Sequence, residues 1–210
     1  MGLPTGVTPP NALSGQPPLT EKGKPAVVYI GGEFCPYCAV QRWALVVALS
    51  RFGTFTNLGK TISSSSTDVF PGLESWSFHG SSYSSPYVTF DAAEIYSSTS
   101  VTTSTPNGSS SFYAPLDKLT PLESQVFHRY DPDHGLAFVD IGNQATWVGA
   151  AYSPSILEGL SLDEIAANLS HPSSPVAQAI DGTANYMIAS ICHQIARRGV
   201  ALCSNVHGSR

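Results

Sequence analysis

Charge is what this sequence has least of. Asp, Glu, Lys and Arg together make up 12% of its 210 residues, roughly half the share usual in a globular protein. The balance is acidic, with 10 Lys plus Arg against 15 Asp plus Glu and a formal net charge of −5. No basic stripe follows the chain, so the electrostatic footprint of nucleic-acid binding is missing. No run reaches the ~18 apolar residues of a membrane-spanning helix. Met1-Gly2-Leu3-Pro4 has neither the basic start nor the apolar segment of a signal peptide. Ser, Thr, Gly, Pro and Tyr replace the missing charges and give a neutral, hydrogen-bonding surface suited to an extracytoplasmic or unusual ionic setting.

Cysteine is scarce too, but its placement is informative. The four cysteines fall into two local pairs, Cys35/Cys38 and Cys192/Cys203. An even count in paired positions fits an oxidising compartment, although four cysteines allow three pairings. Cys35-Pro36-Tyr37-Cys38 stands where an apolar, β-branched run, Ala26-Val27-Val28-Tyr29-Ile30, gives way to a helix-like run from Ala39. Two cysteines with two residues between them, at a strand-to-helix junction, are what thiol–disulfide exchange needs. The free N–H groups and partial positive charge of a helix N-terminus favour a thiolate at Cys35. Cys38, one turn later and more enclosed, is then the resolving thiol.

The neighbours of the pair have assignable roles. Pro36 fits the first helical turn, where its missing N–H has no partner, and stiffens the approach. Tyr37 adds bulk and a hydroxyl but no cation. Glu33 is a candidate proton acceptor for the resolving step, set against the plainer reading of a solvated loop carboxylate. Phe34 reads as an apolar rim for an unfolded substrate. Val40, Trp43, Val47 and Phe52 are explained by core packing. Zinc is an alternative for a lone CxxC, but tetrahedral coordination needs two further ligands, and His79, His128, His134 and the distant cysteines form no second compact motif. A purely structural Cys35/Cys38 bond is another. Cys192/Cys203 reads as a structural disulfide stapling the C-terminal tail to the last helix, with a second redox pair relaying electrons as its alternative.

Along the chain, residues 1–24 read as a flexible Pro/Gly-rich lead-in, compatible with a native start or with the trimmed edge of a longer, anchored protein. Residues 25–206 form the domain, with an insertion over 67–127, and 207–210 are a tail. A second strand is expected near Leu58 to Ser63, and short strands at Ser75–Phe78 and Pro86–Phe90. Ser97 to Ser111 reads as an exposed loop. Thr120-Pro121-Leu122-Glu123 and Ser161-Leu162-Asp163-Glu164 are capping boxes ahead of helices. A β-hairpin is expected around Gly142-Asn143. The last helix is expected to start after Thr183 and to end at Gly199.

Gly32-Glu33-Phe34-Cys35-Pro36-Tyr37-Cys38-Ala39, Phe138-Val139-Asp140-Ile141-Gly142-Asn143 and Thr183-Ala184-Asn185-Tyr186 leading to Cys192 carry a resemblance to the thioredoxin-like superfamily. More narrowly, the chain resembles an archaeal and actinobacterial group of CxxC proteins, many with an amino-terminal membrane anchor. The resemblance implies an α/β, thioredoxin-like fold with a long Ser/Thr-rich insertion and an additional C-terminal helix. It makes Cys35 the nucleophile and Cys38 the resolving cysteine, with Phe34, Pro36, Tyr37 and Ala137 facing substrate. Two departures stand out. The usual cis-proline position falls on Ala137, where a trans bond is expected because a non-proline cis bond is costly; Pro86 is the substitute if the alignment shifts. The buried acid that thioredoxins carry six residues ahead of the nucleophile is Tyr29 here, which leaves Glu33 or water to assist proton transfer.

The expected function is an extracytoplasmic thiol–disulfide oxidoreductase acting on protein thiols or disulfides without an organic cofactor or metal. Oxidase or isomerase activity is favoured over reduction, and a membrane quinone-linked redox protein is the candidate recycling partner. The rival from another class is a non-catalytic binding or chaperone module on the same scaffold, using aromatic residues around the insertion.

Overall fold

The computed structural model of the protein describes residues 6–64, 69–105, 108–197 and 203. The chain opens with β1 (Asn11–Ala12), β2 (Thr20–Glu21), β3 (Lys24–Gly31) and α1 (Pro36–Leu49). Four short strands follow, β4 (Thr54–Thr56), β5 (Gly59–Ile62), β6 (Glu74–Ser77) and β7 (Ser82–Ser84), and then β8 (Thr89–Glu94), β9 (Tyr96–Thr105) and β10 (Gly108–Pro115). The last part comprises α2 (Pro121–Tyr130), β11 (Phe138–Ile141), β12 (Ala145–Val148), a 3₁₀ turn at Pro154–Leu157, α3 (Leu162–Leu169) and α4 (Pro175–Ala196).

The architecture is α/β. The main sheet runs β1–β12–β11–β3–β8, and β2 binds the first residues of β3. Only β8 lies parallel to β3; β11 and β12 are antiparallel to their neighbours. Side chains alternate across β3, as the pleat requires. Val27 and Tyr29 join Val139, Ile141 and the buried faces of α1, α3 and α4 in one core. Val28 and Ile30 join Phe138 and the Val126 and Phe127 side chains of α2 in the other. Because both faces are covered, the run from Ala26 to Ile30 is apolar throughout rather than alternating.

Several sequence-based boundaries hold. Both capping boxes form, with Thr120 and Ser161 each accepting the N3 backbone N–H while Glu123 and Glu164 reach back to the cap. The hairpin turns at Gly142 and Asn143, which adopt φ of 64° and 56°.

Other expectations need correction. Gly59–Ile62, read as the second strand, pairs with β6 in a separate two-stranded sheet. The parallel partner of β3 is instead Thr89–Glu94, inside the segment read as an insertion. Ser97 to Ser111 is no loop among the described residues: β9 and β10 form a long hairpin whose ladder takes up the backbone hydrogen bonds. Ser and Thr there suggested a loop by composition, yet Thr, Val, Phe and Tyr are also good strand formers. Helix α4 starts at Pro175, eight residues before Thr183, because Ser174 caps it by accepting the Ala177 N–H. It ends at Ala196, and Gly199 lies outside the described residues.

Residues 6–24 are fastened to the sheet rather than loose. β1 pairs with β12, the Thr8 N–H donates to the Ala151 carbonyl, and the Trp147 indole N–H donates to the Thr8 carbonyl. Finally, the Leu136–Ala137 peptide bond is cis, against the expected trans. That expectation counted only the intrinsic preference of an isolated bond. Ala137 is wholly buried, its carbonyl accepts the Gly149 N–H, and the residues after it are bonded on both sides into the sheet.

Candidate active site

Strand β3 ends at Gly31 and α1 begins at Pro36, so the four residues between them turn the chain over the carboxyl end of the sheet. Cys35 is the N-cap of α1, with extended backbone (φ −82°, ψ 123°), and its sulfur accepts the Cys38 backbone N–H at 3.3 Å. Pro36 takes the first helical position, as its fixed φ and missing N–H allow. Cys35 is 5% exposed and Cys38 is fully buried; both are free thiols.

The two thiols are driven apart electrostatically. The Cys38 thiol donates to Cys35 and, more than any other contact, lowers the Cys35 pKa; burial opposes this, while the Cys38 N–H, the Arg42 charge and the Tyr37 N–H assist. Cys38 is pushed well above the ordinary thiol range, first by burial, then by its role as donor and by the charge of Cys35. A thiolate beside a protonated partner is the division of labour that exchange requires.

Beneath the pair lies a charged network that the sequence reading did not identify. Arg42, one turn beyond Cys38 in α1, is wholly buried and forms an ion pair with wholly buried Glu94 at the end of β8, Nη1 to Oε2 being 3.0 Å. The same Nη1 donates to the Tyr29 hydroxyl at 3.3 Å and to the Gly32 carbonyl at 3.2 Å, while Nε reaches the Ser75 hydroxyl at 3.5 Å. Tyr29 donates in turn to Glu94 Oε2 at 3.5 Å. A Cβ on Gly31 would collide with the Tyr29 hydroxyl and stand 3.1 Å from the Cys38 sulfur, so this position needs glycine. The Gly32 N–H points at Cys38 Sγ, 3.5 Å away. Burial raises the Glu94 carboxyl to about 7 despite the pull of Arg42. Burial also works against the Arg42 charge, but Glu94, Tyr29 and Cys38 together hold its pKa above the ordinary value. Removing one partner of such a pair strands a buried charge, typically at a cost of about 3–5 kcal/mol.

A signal for this network was present: Arg42 is the only charge within the apolar run from Ala39 to Leu49, and buried arginines are almost always paired. Its partner, a glutamate after Ala92-Ala93, could not be identified without the β3–β8 pairing.

The sequence-singled residues divide around this centre. Glu33 accepts from the Ser77 hydroxyl through one carboxylate oxygen and from the Ser98 N–H at 3.4 Å through the other. Phe34 stacks on Tyr113 (centroids 4.0 Å apart) and meets Tyr96 edge-on. It walls a neutral depression of about 380 Å³ together with Phe112 and Pro115. Tyr37, 40% exposed, meets Phe70 edge-on and lines a second depression of about 500 Å³ with Leu136, Ala150 and Tyr152. Ala137 packs its methyl into the core, so Leu136, not Ala137, presents its side chain to that depression. Pro86 precedes β8 rather than facing the cysteines from β11. Cys192 and Cys203 are disulfide-bonded. Among the described residues, no His, Cys, Asp and Glu side chains assemble in a group of three or more able to hold a metal. No helix among them is long and apolar enough to cross a membrane.

A family model described as Domain of unknown function (DUF929) matches residues 12–193. No curated protein and no solved structure matches the chain.

Proposed function

This chain belongs to the DUF929 family, and we propose that it is a thiol–disulfide oxidoreductase of thioredoxin-like type, acting on protein thiols or disulfides through Cys35-Pro36-Tyr37-Cys38. The observation that carries this reading is the asymmetry of the pair: a lowered-pKa thiol at a helix N-cap beside a buried, raised-pKa thiol. The fold supports it as well. In an α/β sheet with β3 and β8 parallel and β11 antiparallel to β3, the cysteines stand at the carboxyl end of β3, where open α/β sheets commonly place their sites.

In the reducing direction, the Cys35 thiolate attacks one sulfur of a substrate disulfide. The substrate S–S bond breaks, a mixed disulfide forms, and the departing thiolate takes a proton. Cys38 then loses its proton and attacks Cys35 Sγ, which releases the second substrate thiol and leaves Cys35–Cys38 oxidised. In reverse, the same bonds carry two electrons from a substrate dithiol to the enzyme disulfide. The neutral depressions beside Phe34 and Tyr37 suit an extended, uncharged segment around the substrate cysteine.

The Cys192–Cys203 bond argues for an oxidising, extracytoplasmic compartment. There, oxidation or isomerisation is the favoured direction, with a membrane quinone-linked protein as recycling partner. The test is the equilibrium of Cys35/Cys38 with glutathione buffers. A potential between about −120 and −200 mV marks an oxidase or isomerase, and one below about −250 mV a reductase. Accumulation of substrate-linked Cys38→Ala protein, absent with Cys35→Ala, is expected of either. A pair that never cycles returns the scaffold to the binding-module reading.

A further inference from the structure

Most buried cations in proteins do no more than satisfy a buried anion, and Arg42 with Glu94 could be read that way. Three observations give the pair a direction. First, Arg42 Nη1 donates to Tyr29 and to the Gly32 carbonyl. These are the side chain beside the Cys38 sulfur and the residue whose N–H points at it. The guanidinium is therefore fixed to the turn carrying the thiols as well as to its counter-ion. Second, Arg42 Nη2 is buried and has no hydrogen-bond partner among the described residues, so the carboxylate does not take up every donor of the guanidinium. Third, the charge acts on both sulfurs: Arg42 favours ionisation of Cys35 and Cys38, whereas Glu94 opposes that of Cys38.

We infer that Arg42 is a positioning residue for the dithiol, held in place by Glu94 and Tyr29, and that the balance of this buried pair sets how readily Cys35 and Cys38 ionise. Arg42 supplies from below the cation that Cys-Pro-Tyr-Cys lacks between its cysteines. Glu94 keeps that cation folded into the core and moderates it. The other ionisable groups facing the network are Tyr29 from β3, Glu33 from the turn, and Asp117, whose carboxylate accepts the Glu94 N–H at 3.0 Å. Asp117 is in turn paired with His79 at 2.6 Å. The inference deepens the redox reading and rests on it for its biological meaning, but thiol ionisation can be measured whether or not the pair cycles.

The experiment is a pH titration of Cys35 thiolate, by ultraviolet absorbance and by alkylation rate, in the full chain. The variants are Arg42→Met, Arg42→Lys and the double variant Arg42→Met with Glu94→Gln, in which no buried charge is stranded. Losing the cation is expected to move the midpoint up by about one pH unit. Arg42→Lys, which keeps the charge, is expected to stay nearer the wild type than Arg42→Met. The double variant, which covers the case of a single variant that fails to fold, is expected to keep the upward shift, because Arg42 acts on Cys35 directly. A merely structural role would change the denaturation midpoint and leave the titration in place. Double-variant curves that overlay the wild type overturn the inference. Failure of the wild-type pair to cycle in glutathione would overturn the redox reading and leave the titration result standing.

Discussion

Cys35 and Cys38 open α1 above a buried arginine, whereas Cys192, near the end of α4, is bonded to Cys203 at a sequence separation of 11. Both pairs are local in sequence, with Cys35, Cys38 and Cys192 buried and Cys203 partly buried, so closeness in sequence alone does not tell them apart. Their surroundings do. Cys35 sits on unsatisfied N–H groups at a helix start, with a cation below, and every one of these features favours a thiolate. Cys192 has most of α4, from Pro175 on, on its N-terminal side and apolar neighbours such as Ile188, Ile191 and Ile195. The contrast teaches that the end of a helix on which a cysteine sits governs its chemistry more than the number of residues to its partner.

The largest expected effect separates the pairs outright. Cys35→Ser should reduce exchange with a dithiol or disulfide substrate to the uncatalysed background. The double variant Cys192→Ser with Cys203→Ser should keep exchange wherever it remains folded. Loss of exchange in the folded double variant would make the second pair a relay and erase the distinction. The same double variant should lose about 3 kcal/mol of stability, the value for closing a short loop, or roughly 2–4 °C in Tm for each kcal/mol in a chain of this size. Urea denaturation with and without the second pair checks this. An unchanged midpoint would leave that disulfide without its structural role.

A smaller effect compares a buried acid that has a cation with one that lacks it. Asp140 in β11 is wholly buried, accepts the Asn143 N–H at 2.9 Å through one oxygen, and has no hydrogen-bond partner among the described residues at the other. Burial raises its carboxyl to about 7, partly offset by the Asn143 N–H. The unfolded chain titrates it near the ordinary value of about 3.9. Between these two values the folded protein holds a proton that the unfolded chain has released, so stability falls as pH rises through the window. Glu94, raised to about 7 by burial even with Arg42 beside it, contributes in the same direction. Asp140→Asn should flatten the decline between pH 4 and pH 7 by on the order of 1–3 kcal/mol, measured by denaturation across that range. An undiminished slope would assign the whole dependence to Glu94 and the other carboxyls.

How much of this was legible in the sequence follows from the range of each interaction. The N-cap cysteine, Pro36 at N1, both capping boxes and the Gly142-Asn143 turn are fixed by residues within a few positions of one another, and each forms as its local signal indicates. The parallel pairing of β3 with Thr89–Glu94 joins segments about sixty residues apart, and the alanines of that strand gave no strong β signal. Arg42 with Glu94 depends on that pairing and was invisible for the same reason. The Ser/Thr-rich hairpin was misread because composition reports polarity, whereas its ladder arises from cross-strand register. The cis bond before Ala137 has no local sequence signature at all.

Glu33 provides the finest test, because sequence and structure assign it different weight. By position it was a candidate acceptor of the Cys38 proton, set against the plainer reading of a solvated loop carboxylate. Its two oxygens are instead engaged by the Ser77 hydroxyl and the Ser98 N–H, which tie the turn to β6 and β9. A carboxylate so engaged serves as a tether for the turn. Removing a true general base costs about 10²-fold or more. Glu33→Gln keeps an acceptor for one of the two donors and is expected to slow resolution of the mixed disulfide by far less, no more than a few-fold. Single-turnover kinetics with the mixed disulfide formed beforehand isolate that step. A hundredfold slower second step, with the first step unchanged, would return Glu33 to the chemistry and leave Arg42 and Glu94 to set only the starting ionisation of the thiols.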